Sequence, residues 1–172
     1  MKPTFALNLT EDRIGLLQRT GKGWLPLGEA VFGADDMDAQ LTALREKAAN
    51  RAPRGITTKV VIPNSQILYT TVAVAAATET ARQDEIRAAL VGRTPYAVDD
   101  LVFDWSGTGP QVQVAVVARE TLDEAEGFAV QHAFRPMSFV AIPEAGQFDG
   151  EPMFGATAFS VTALGKGRRL ER

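Results

Sequence analysis

Residues 59–67 hold the stretch that decides the fold, Lys59-Val60-Val61-Ile62-Pro63-Asn64-Ser65-Gln66-Ile67. It begins with a short run rich in β-branched side chains, and such a run predicts a buried strand. The turn residues that begin at Pro63 stop this strand, because proline lacks the amide hydrogen that a central strand needs. A second apolar run over 67–75 predicts another strand. The stretch therefore predicts two strands separated by a tight turn.

Three strands and a helix are predicted before this stretch. Residues 5–9, 14–20 and 24–32 each lie between turn residues and carry apolar side chains, which is typical of a β-meander. Asp35 or Asp36 predicts the start of a helix, because a short acidic side chain accepts hydrogen bonds from the free N–H groups there. The helix presents one apolar stripe, formed by Met37, Leu41, Leu44 and Ala48.

Two helices and three strands are predicted after residue 75. One helix starts near Thr80, with Gln83 at the capping-box spacing, and ends at Gly92. The other opens on Thr121, with Glu124 at the same spacing. The remaining strands are predicted at 101–105, 112–118 and 137–142. The resulting order of elements, βββ-α-ββ-α-ββ-α-β, indicates a mixed α+β fold.

Regular periodicity ends near Gly146. The residues from there to 172 include a glycine-containing segment at 150–155 and a basic end at 166–172. We interpret 146–172 as a docked arm followed by a linker. The ending Gly165-Lys166-Gly167-Arg168-Arg169 indicates a fragment of a longer protein.

Composition and charge exclude several classes of protein. The 172 residues suit one domain or two small subdomains, and the formal net charge of −3 gives no electrostatic basis for binding nucleic acid. The absence of cysteine excludes disulfides, thiolate metal sites and a cysteine nucleophile. Neither a signal peptide nor the roughly 20 apolar residues of a membrane helix is visible. We therefore expect a cytoplasmic protein that neither inserts into a membrane nor binds nucleic acid.

Candidate catalytic residues are few. His132 is the one histidine, and a lone histidine lacks the partners that a metal site or a catalytic triad requires. Paired carboxylates lie where acidic residues commonly favour a turn or a helix start, at Glu11-Asp12, Asp35-Asp36 and Asp99-Asp100. The glycine segment at 107–110 lacks the Lys-Ser/Thr ending of a phosphate-binding loop. We expect no catalytic residue, no metal site and no cofactor, and hence no enzyme.

The order of the segments resembles that of a known family. A meander of three strands followed by a helix and a strand resembles the start of the actin/Hsp70/hexokinase superfold. The chain is similar, over roughly residues 4–145, to the pilus-assembly PilM family, and more distantly to the type II secretion protein GspL and the division protein FtsA. Three pieces carry most of the resemblance: the strand-turn-strand around Pro63-Asn64-Ser65, the helix that ends in Arg93-Thr94-Pro95-Tyr96, and the strand that ends in Asp104-Trp105.

The resemblance implies an interrupted domain layout. Residues 1–66 and 119–145 would form an RNase H-like subdomain of the actin type. Residues 67–118 would form a small strand-helix-strand-strand subdomain inserted into it. The arm and linker at 146–172 would follow.

The resemblance also implies that the phosphate loop is degenerate. Active members of the superfold carry an Asp-x-Gly motif in the turn after the first strand, where the acid orients the metal and glycine lets the backbone approach phosphate. This chain has Leu7-Asn8-Leu9-Thr10 there. Asn8 supplies no carboxylate, and Thr10 puts a side chain where glycine is wanted. The second actin-like subdomain, which carries the other phosphate loop, is absent from these 172 residues. ATP hydrolysis is therefore not expected.

The family resemblance implies a scaffold or adaptor of a cell-envelope machine of the type IV pilus or type II secretion kind. PilM-like proteins hold a short cytoplasmic tail of a membrane protein in a groove between the main and inserted subdomains. That groove would involve Asn64, Ser65, Gln66, Arg93, Pro95 and Tyr96. The partner would be the cytoplasmic tail of an inner-membrane protein, and the chain would lie in the cytoplasm, peripheral to the inner membrane. Two alternative functions stay open: a stand-alone regulatory protein-interaction module and an ATP-binding actin-like ATPase fragment. Whether the chain also forms a homodimer stays open as well.

Overall fold

The computed structural model describes residues 2–164. The strands are β1 Phe5–Leu9, β2 Arg13–Thr20, β3 Gly23–Val31, β4 Thr58–Val61, β5 Ile67–Ala73, β6 Leu101–Ser106, β7 Gln111–Ala118, β8 Pro136–Val140 and β9 Met153–Ala156. The helices are α1 Met37–Arg51, α2 Glu79–Leu90, α3 Arg119–Gln131 and α4 Ala158–Leu164, with 3₁₀ turns at Asn64–Gln66 and Val98–Asp100. None of the helices in this part of the chain has both the length and the apolar character that crossing a membrane requires.

A six-stranded mixed sheet forms the larger part of the molecule, with the strand order β3-β2-β1-β4-β8-β9. The meander β1–β3 is antiparallel, whereas β4 pairs in parallel with β1 on one side and with β8 on the other. The main core contains the buried sides of α1 and α3 together with apolar side chains of β1, β2 and β4, among them Phe5, Leu16, Leu41, Val60 and Leu122. Burial of these alternate strand positions explains why the meander was visible in the sequence.

A separate antiparallel sheet, in the order β5-β7-β6, is formed by the segment between β4 and α3. One of its faces packs against α2, where Ile86 and Leu90 are buried with Val72 and Val114. Its other face contributes side chains such as Ala115 to the main core. The predicted mixed α+β class, with a strand-helix-strand-strand unit inserted between β4 and α3, is therefore confirmed.

The predicted start of α2 near Thr80 lies one residue from the observed start at Glu79, whereas the predicted capping residues of α2 and α3 are both wrong. The start of α2 is capped by Thr78, whose hydroxyl accepts a hydrogen bond from the Ala81 amide at 3.3 Å. The start of α3 follows directly from the end of β7, so that Ala118 occupies the N-cap position and offers no side-chain bond. Thr121 therefore lies inside the first turn of α3. Packing of the strand-to-helix junction fixes this start, and the local capping signal does not.

The segment after Gly146 is more regular than the sequence predicted. The strand β9 pairs antiparallel with β8, and α4 follows it. The Thr157 hydroxyl donates to the Pro136 carbonyl at 2.7 Å, and Glu126 of α3 accepts from the Ala158 amide at 2.8 Å. The short strand escaped detection because Gly155, at a φ of 112°, interrupts its alternation. The remainder of the predicted arm and linker, residues 165–172, lies outside the described residues.

Candidate functional site

A groove of about 280 Å³ opens at the end of the small sheet where β5 begins and β7 ends. It runs between the 3₁₀ turn at Asn64–Gln66, the start of α3 and the loop after α2. We call it the partner groove. It is lined by Ser65, Gln66, Ile67, Leu68, Thr94, Pro95, Tyr96, Leu101, Val116, Val117, Ala118 and Thr121.

The loop after α2 gives the partner groove its aromatic wall. Gly92, at a φ of 79°, ends the helix with a left-handed residue, and the Arg93 amide donates to the Leu90 carbonyl at 3.1 Å. The Thr94 hydroxyl accepts from the Tyr96 amide at 3.2 Å, which fixes the turn around Pro95. The Tyr96 side chain is 44% exposed, so a large amphipathic ring stands at the rim of the groove.

The structure brings four of the six sequence-predicted partner residues into this groove: Ser65, Gln66, Pro95 and Tyr96. Arg93 lies outside its lining and binds β5, because its guanidinium donates to the Thr70 hydroxyl at 2.9 Å and to the Thr71 carbonyl at 3.4 Å. Asn64 lines a neighbouring cavity. Their role in partner binding stays a prediction.

Asn64 joins three elements through its amide group. Its nitrogen donates to the Ile142 carbonyl at 2.8 Å, and its oxygen accepts from the Tyr69 hydroxyl at 2.6 Å. Burial raises the pKa of Tyr69 from 10.0 to about 12, because the charged phenolate loses hydration in this position. The Asn64 side chain therefore links its 3₁₀ turn to β5 and to the segment that follows β8.

We expect the raised pKa of Tyr69 to make part of the stability dependent on alkaline pH. Above pH 10 the unfolded chain loses this proton while the folded chain keeps it up to about pH 12, so unfolding becomes more favourable. The stability contribution is complete below pH 10 and is lost as the pH rises through 12. Urea unfolding should therefore show that the difference in the free energy of unfolding between the wild type and Tyr69→Phe becomes smaller from pH 10 to pH 12. A difference that stays constant with pH would contradict the assignment.

The turn after β1, where the superfold binds phosphate, is closed on itself. The Thr10 amide donates to the Arg13 carbonyl at 3.0 Å, and the Thr10 hydroxyl accepts from the Arg13 amide at 3.1 Å. A cavity of about 370 Å³ beside it is lined by Asn8, Thr10 and Asn64, and also by Glu11. A glutamate at this place opposes an anionic ligand. The degenerate character of the loop at Asn8 and Thr10 stays a prediction.

A further cavity, of about 400 Å³, lies on the α3 side of the same turn. It contains Thr10 and shares Gln66 and Thr121 with the partner groove. Its walls are mainly apolar and include Phe32 and Phe128, whose ring centroids lie 6.2 Å apart. The ring centroid of His132 lies 4.7 Å from that of Phe128, with the two rings tilted by 53°. Within residues 2–164, no group of three or more histidine and carboxylate side chains is placed to hold a metal ion.

Sequence reasoning missed a pocket of about 370 Å³ that adjoins the partner groove. Its lining includes Tyr96, which it shares with the groove, and the charged residues Asp100, Arg119, Glu120, Asp123 and Glu124. We call it the acidic pocket. The sequence pattern assigns Asp100 to a turn or a helix start and Glu124 to a capping box, and it assigns no role to Glu120 or Asp123. The spacing of these residues in the sequence does not show that residue 100 lies near residues 119–124. The antiparallel pairing of β6 with β7 brings them together, because it places Leu101 opposite Ala118.

The larger sheet, with a small sheet inserted between β4 and α3, is the layout of the actin-like fold. Two solved structures share it with the chain. The cytoplasmic domain of EpsL, an inner-membrane component of the type II secretion system of Vibrio cholerae, superposes with a TM-score of 0.60 at 14% identity over 83% of this chain. A chain of the PilM-PilN type IV pilus biogenesis complex superposes with a TM-score of 0.55 at 15% identity over 82% of this chain. The chain therefore has a PilM/GspL-like fold.

The chain is shorter than both solved neighbours and far from them in sequence. It spans 60% of the EpsL domain and 46% of the chain from the PilM-PilN complex. No protein-family model matches the sequence, and no curated protein is significantly similar to it. At 14–15% identity the likeness establishes the fold alone.

Proposed function

We propose that the chain is a non-catalytic scaffold that holds a segment of a partner protein in the partner groove. The observation that carries the proposal is the groove itself, where an edge strand, an apolar floor and the exposed ring of Tyr96 meet. An extended peptide binds such a place through backbone hydrogen bonds and one or two side-chain anchors. Tyrosine is over-represented among residues that dominate the energy of protein interfaces.

The phosphate-loop turn supports a role without nucleotide hydrolysis. The Thr10 hydroxyl is engaged within the turn, Asn8 offers no carboxylate for a metal, and Glu11 lines the cavity in which an anion would bind. Phosphoryl transfer depends on positive charge and metal ions that stabilise the anionic transition state. A turn that carries Glu11 and uses the Thr10 hydroxyl for its own hydrogen bonds supplies no positive charge to stabilise such a transition state.

The solved neighbours support a place in a cell-envelope machine. Both are components of such machines, one of type II secretion and one of type IV pilus biogenesis, and the second was solved as a protein complex. We therefore assign the chain to the cytoplasmic face of an inner membrane, with the tail of an inner-membrane protein as the segment that it holds.

Replacing Tyr96 by alanine should weaken peptide binding while leaving the fold intact. Peptides selected from a random library displayed on phage serve as the probe, and their dissociation constants are measured by fluorescence anisotropy. Loss of a rim aromatic that acts as an anchor is expected to weaken binding about 30-fold, which corresponds to about 2 kcal/mol. Because the side chain is 44% exposed, the melting temperature should change by only a few degrees.

Val91→Ala is the matched control. Val91 follows the same helix, is 67% exposed and lies outside the partner groove, so its truncation should alter neither binding nor melting. Selected peptides that bind Tyr96→Ala as tightly as the wild type would show that the groove is not their site. A large melting loss in Tyr96→Ala would instead assign the ring to the structural core.

A further inference from the structure

The acidic pocket adjoins the partner groove, because Tyr96 lines both cavities. Four carboxylates and one guanidinium line the acidic pocket, and all five of these side chains are exposed. The first turn of α3 supplies Glu120, and the next positions supply Asp123 and Glu124. The 3₁₀ turn at Val98–Asp100 supplies Asp100 to the lining of the same pocket.

The carboxylates of this pocket are not neutralised by other parts of the described chain. The ion pairs within residues 2–164 join Arg13 to Glu29, Lys59 to Glu151, and Arg87 to Asp99. The neighbouring residue Asp99 is thus paired, whereas Asp100 is not. Because the negative side chains outnumber the single cation Arg119, the end of the groove carries a local negative potential.

We infer that the partner groove selects a basic tail, with an apolar stretch seated against Tyr96 and lysine or arginine side chains in the acidic pocket. The inference rests on the proposed function and names the chemistry of the partner. Cytoplasmic segments close to a membrane helix carry an excess of lysine and arginine, so the tail of an inner-membrane protein brings the charge that this pocket lacks. Charge complementarity thus favours the class of partner that the proposed function assigns to the groove.

Exposed charges of this kind act mainly on the rate of association and on the choice of partner. Each exposed ion pair contributes little free energy and is screened by salt, whereas a cluster of one sign steers a peptide of the opposite sign. Binding should therefore weaken as the ionic strength rises. The apolar contacts with Tyr96 should persist at high salt.

The test uses the full chain and the phage-displayed random-peptide library. Peptides selected by the wild type should carry lysine or arginine next to an apolar run. The neutralised variant Glu120→Gln/Asp123→Asn/Glu124→Gln should bind these peptides about tenfold more weakly at low salt and should lose most of the salt dependence. The control Asp35→Asn/Asp38→Asn/Glu46→Gln makes the same change in net charge at residues that line none of the cavities, and it should bind like the wild type.

The remaining outcomes separate this inference from the proposed function. Selected peptides that depend on Tyr96 but show no enrichment in basic residues would overturn the inference and leave the scaffold role standing. Peptides that ignore Tyr96→Ala would overturn both. Tighter peptide binding by Lys166→Gln/Arg168→Gln/Arg169→Gln would assign the pocket to the chain's own basic end and would overturn the inference as well.

Discussion

Replacing Phe134 by alanine should lower the free energy of unfolding by about 3–5 kcal/mol, as aromatic truncations in protein cores do. Phe134 is fully buried in the main core, in the short connection between α3 and β8. Its neighbours Ala133 and Arg135 both have a positive φ, at 60° and 51°, so the backbone is bent sharply on either side of the ring. Burial of the ring compensates for this backbone conformation.

Phe134 also anchors the connection through its backbone. Its amide donates to the Ala129 carbonyl at 3.0 Å, and its carbonyl accepts from the buried Thr58 hydroxyl at 2.9 Å. A cavity at this site would therefore loosen the junction between α3 and β4 as well as remove apolar contacts. The large loss should be visible as a lower urea midpoint and a lower melting temperature.

Val130→Ala is the control for the Phe134 substitution. Val130 lies four residues earlier, on α3, but its side chain is 44% exposed and outside the buried core. Surface substitutions of this kind usually change stability by less than about 0.5 kcal/mol. If Phe134→Ala loses as little free energy of unfolding as Val130→Ala, the connection between α3 and β8 is not part of the core.

The strands were largely predictable because each has a simple local signature. The meander has alternate apolar residues with turns between the strands, and β4 is a short β-branched run ended by Pro63. These patterns reflect which side of a sheet is buried, and the structure follows them. The division into two sheets came from the family resemblance, since local patterns do not tell which strands pair.

Long-range polar contacts were not predictable from local patterns. Arg82 is an example, because it is nearly buried in α2 and donates to the Ala76 and Gly109 carbonyls at 3.0 and 2.6 Å. An arginine on a helix normally indicates a solvent-exposed position. Only the approach of the β6–β7 turn explains its burial. The acidic pocket escaped for the same reason, since Asp100 and Glu120 come together only through the pairing of β6 with β7.

The candidate groove was located by resemblance and not by pattern. Ser65, Gln66, Pro95 and Tyr96 look like ordinary turn residues in the sequence, and a turn assignment is correct for each of them. Their proximity depends on how the small sheet is inserted after β4. The periodicity of apolar residues in helices and strands carries no information about where the small sheet is inserted. The structure adds that Asn64 and Arg93, predicted with them, bind within the fold.

Replacing Glu151 by alanine should also destabilise the fold strongly, because it leaves a buried lysine without its counter-ion. Lys59 lies on the central strand β4, is 6% exposed, and places its Nζ 2.6 Å from a carboxylate oxygen of Glu151. The same ammonium stacks over the Trp24 ring at 4.7 Å, and this contact alone cannot replace the ion pair. Removing one partner of a buried pair costs about 3–5 kcal/mol. The loss should fall at the lower end of that range, because the Glu151 side chain is one third exposed and water can reach the site.

The consequence extends to the contact between the two sheets. Glu151 lies two residues before β9, and the Met153 amide donates to the Asp104 carboxylate of β6 at 2.9 Å. Loss of the Lys59 contact should therefore free the segment that links the larger sheet to the small one. Hydrogen exchange of β9 amides should rise more than that of β1 amides.

Four further variants distinguish loss of the charge pair from disruption of the segment that carries Glu151. Glu144→Ala removes an exposed carboxylate from the same connection and should change stability by less than about 0.5 kcal/mol. Lys59→Met/Glu151→Leu replaces both charges by apolar groups and should recover most of the loss, because no ion is then left buried without a partner. Urea unfolding of the wild type, both single variants Lys59→Met and Glu151→Leu, and the double variant gives the coupling energy directly. If the double variant is as unstable as Glu151→Leu alone, the loss comes from disrupted packing of the segment, and the buried ammonium is not its cause.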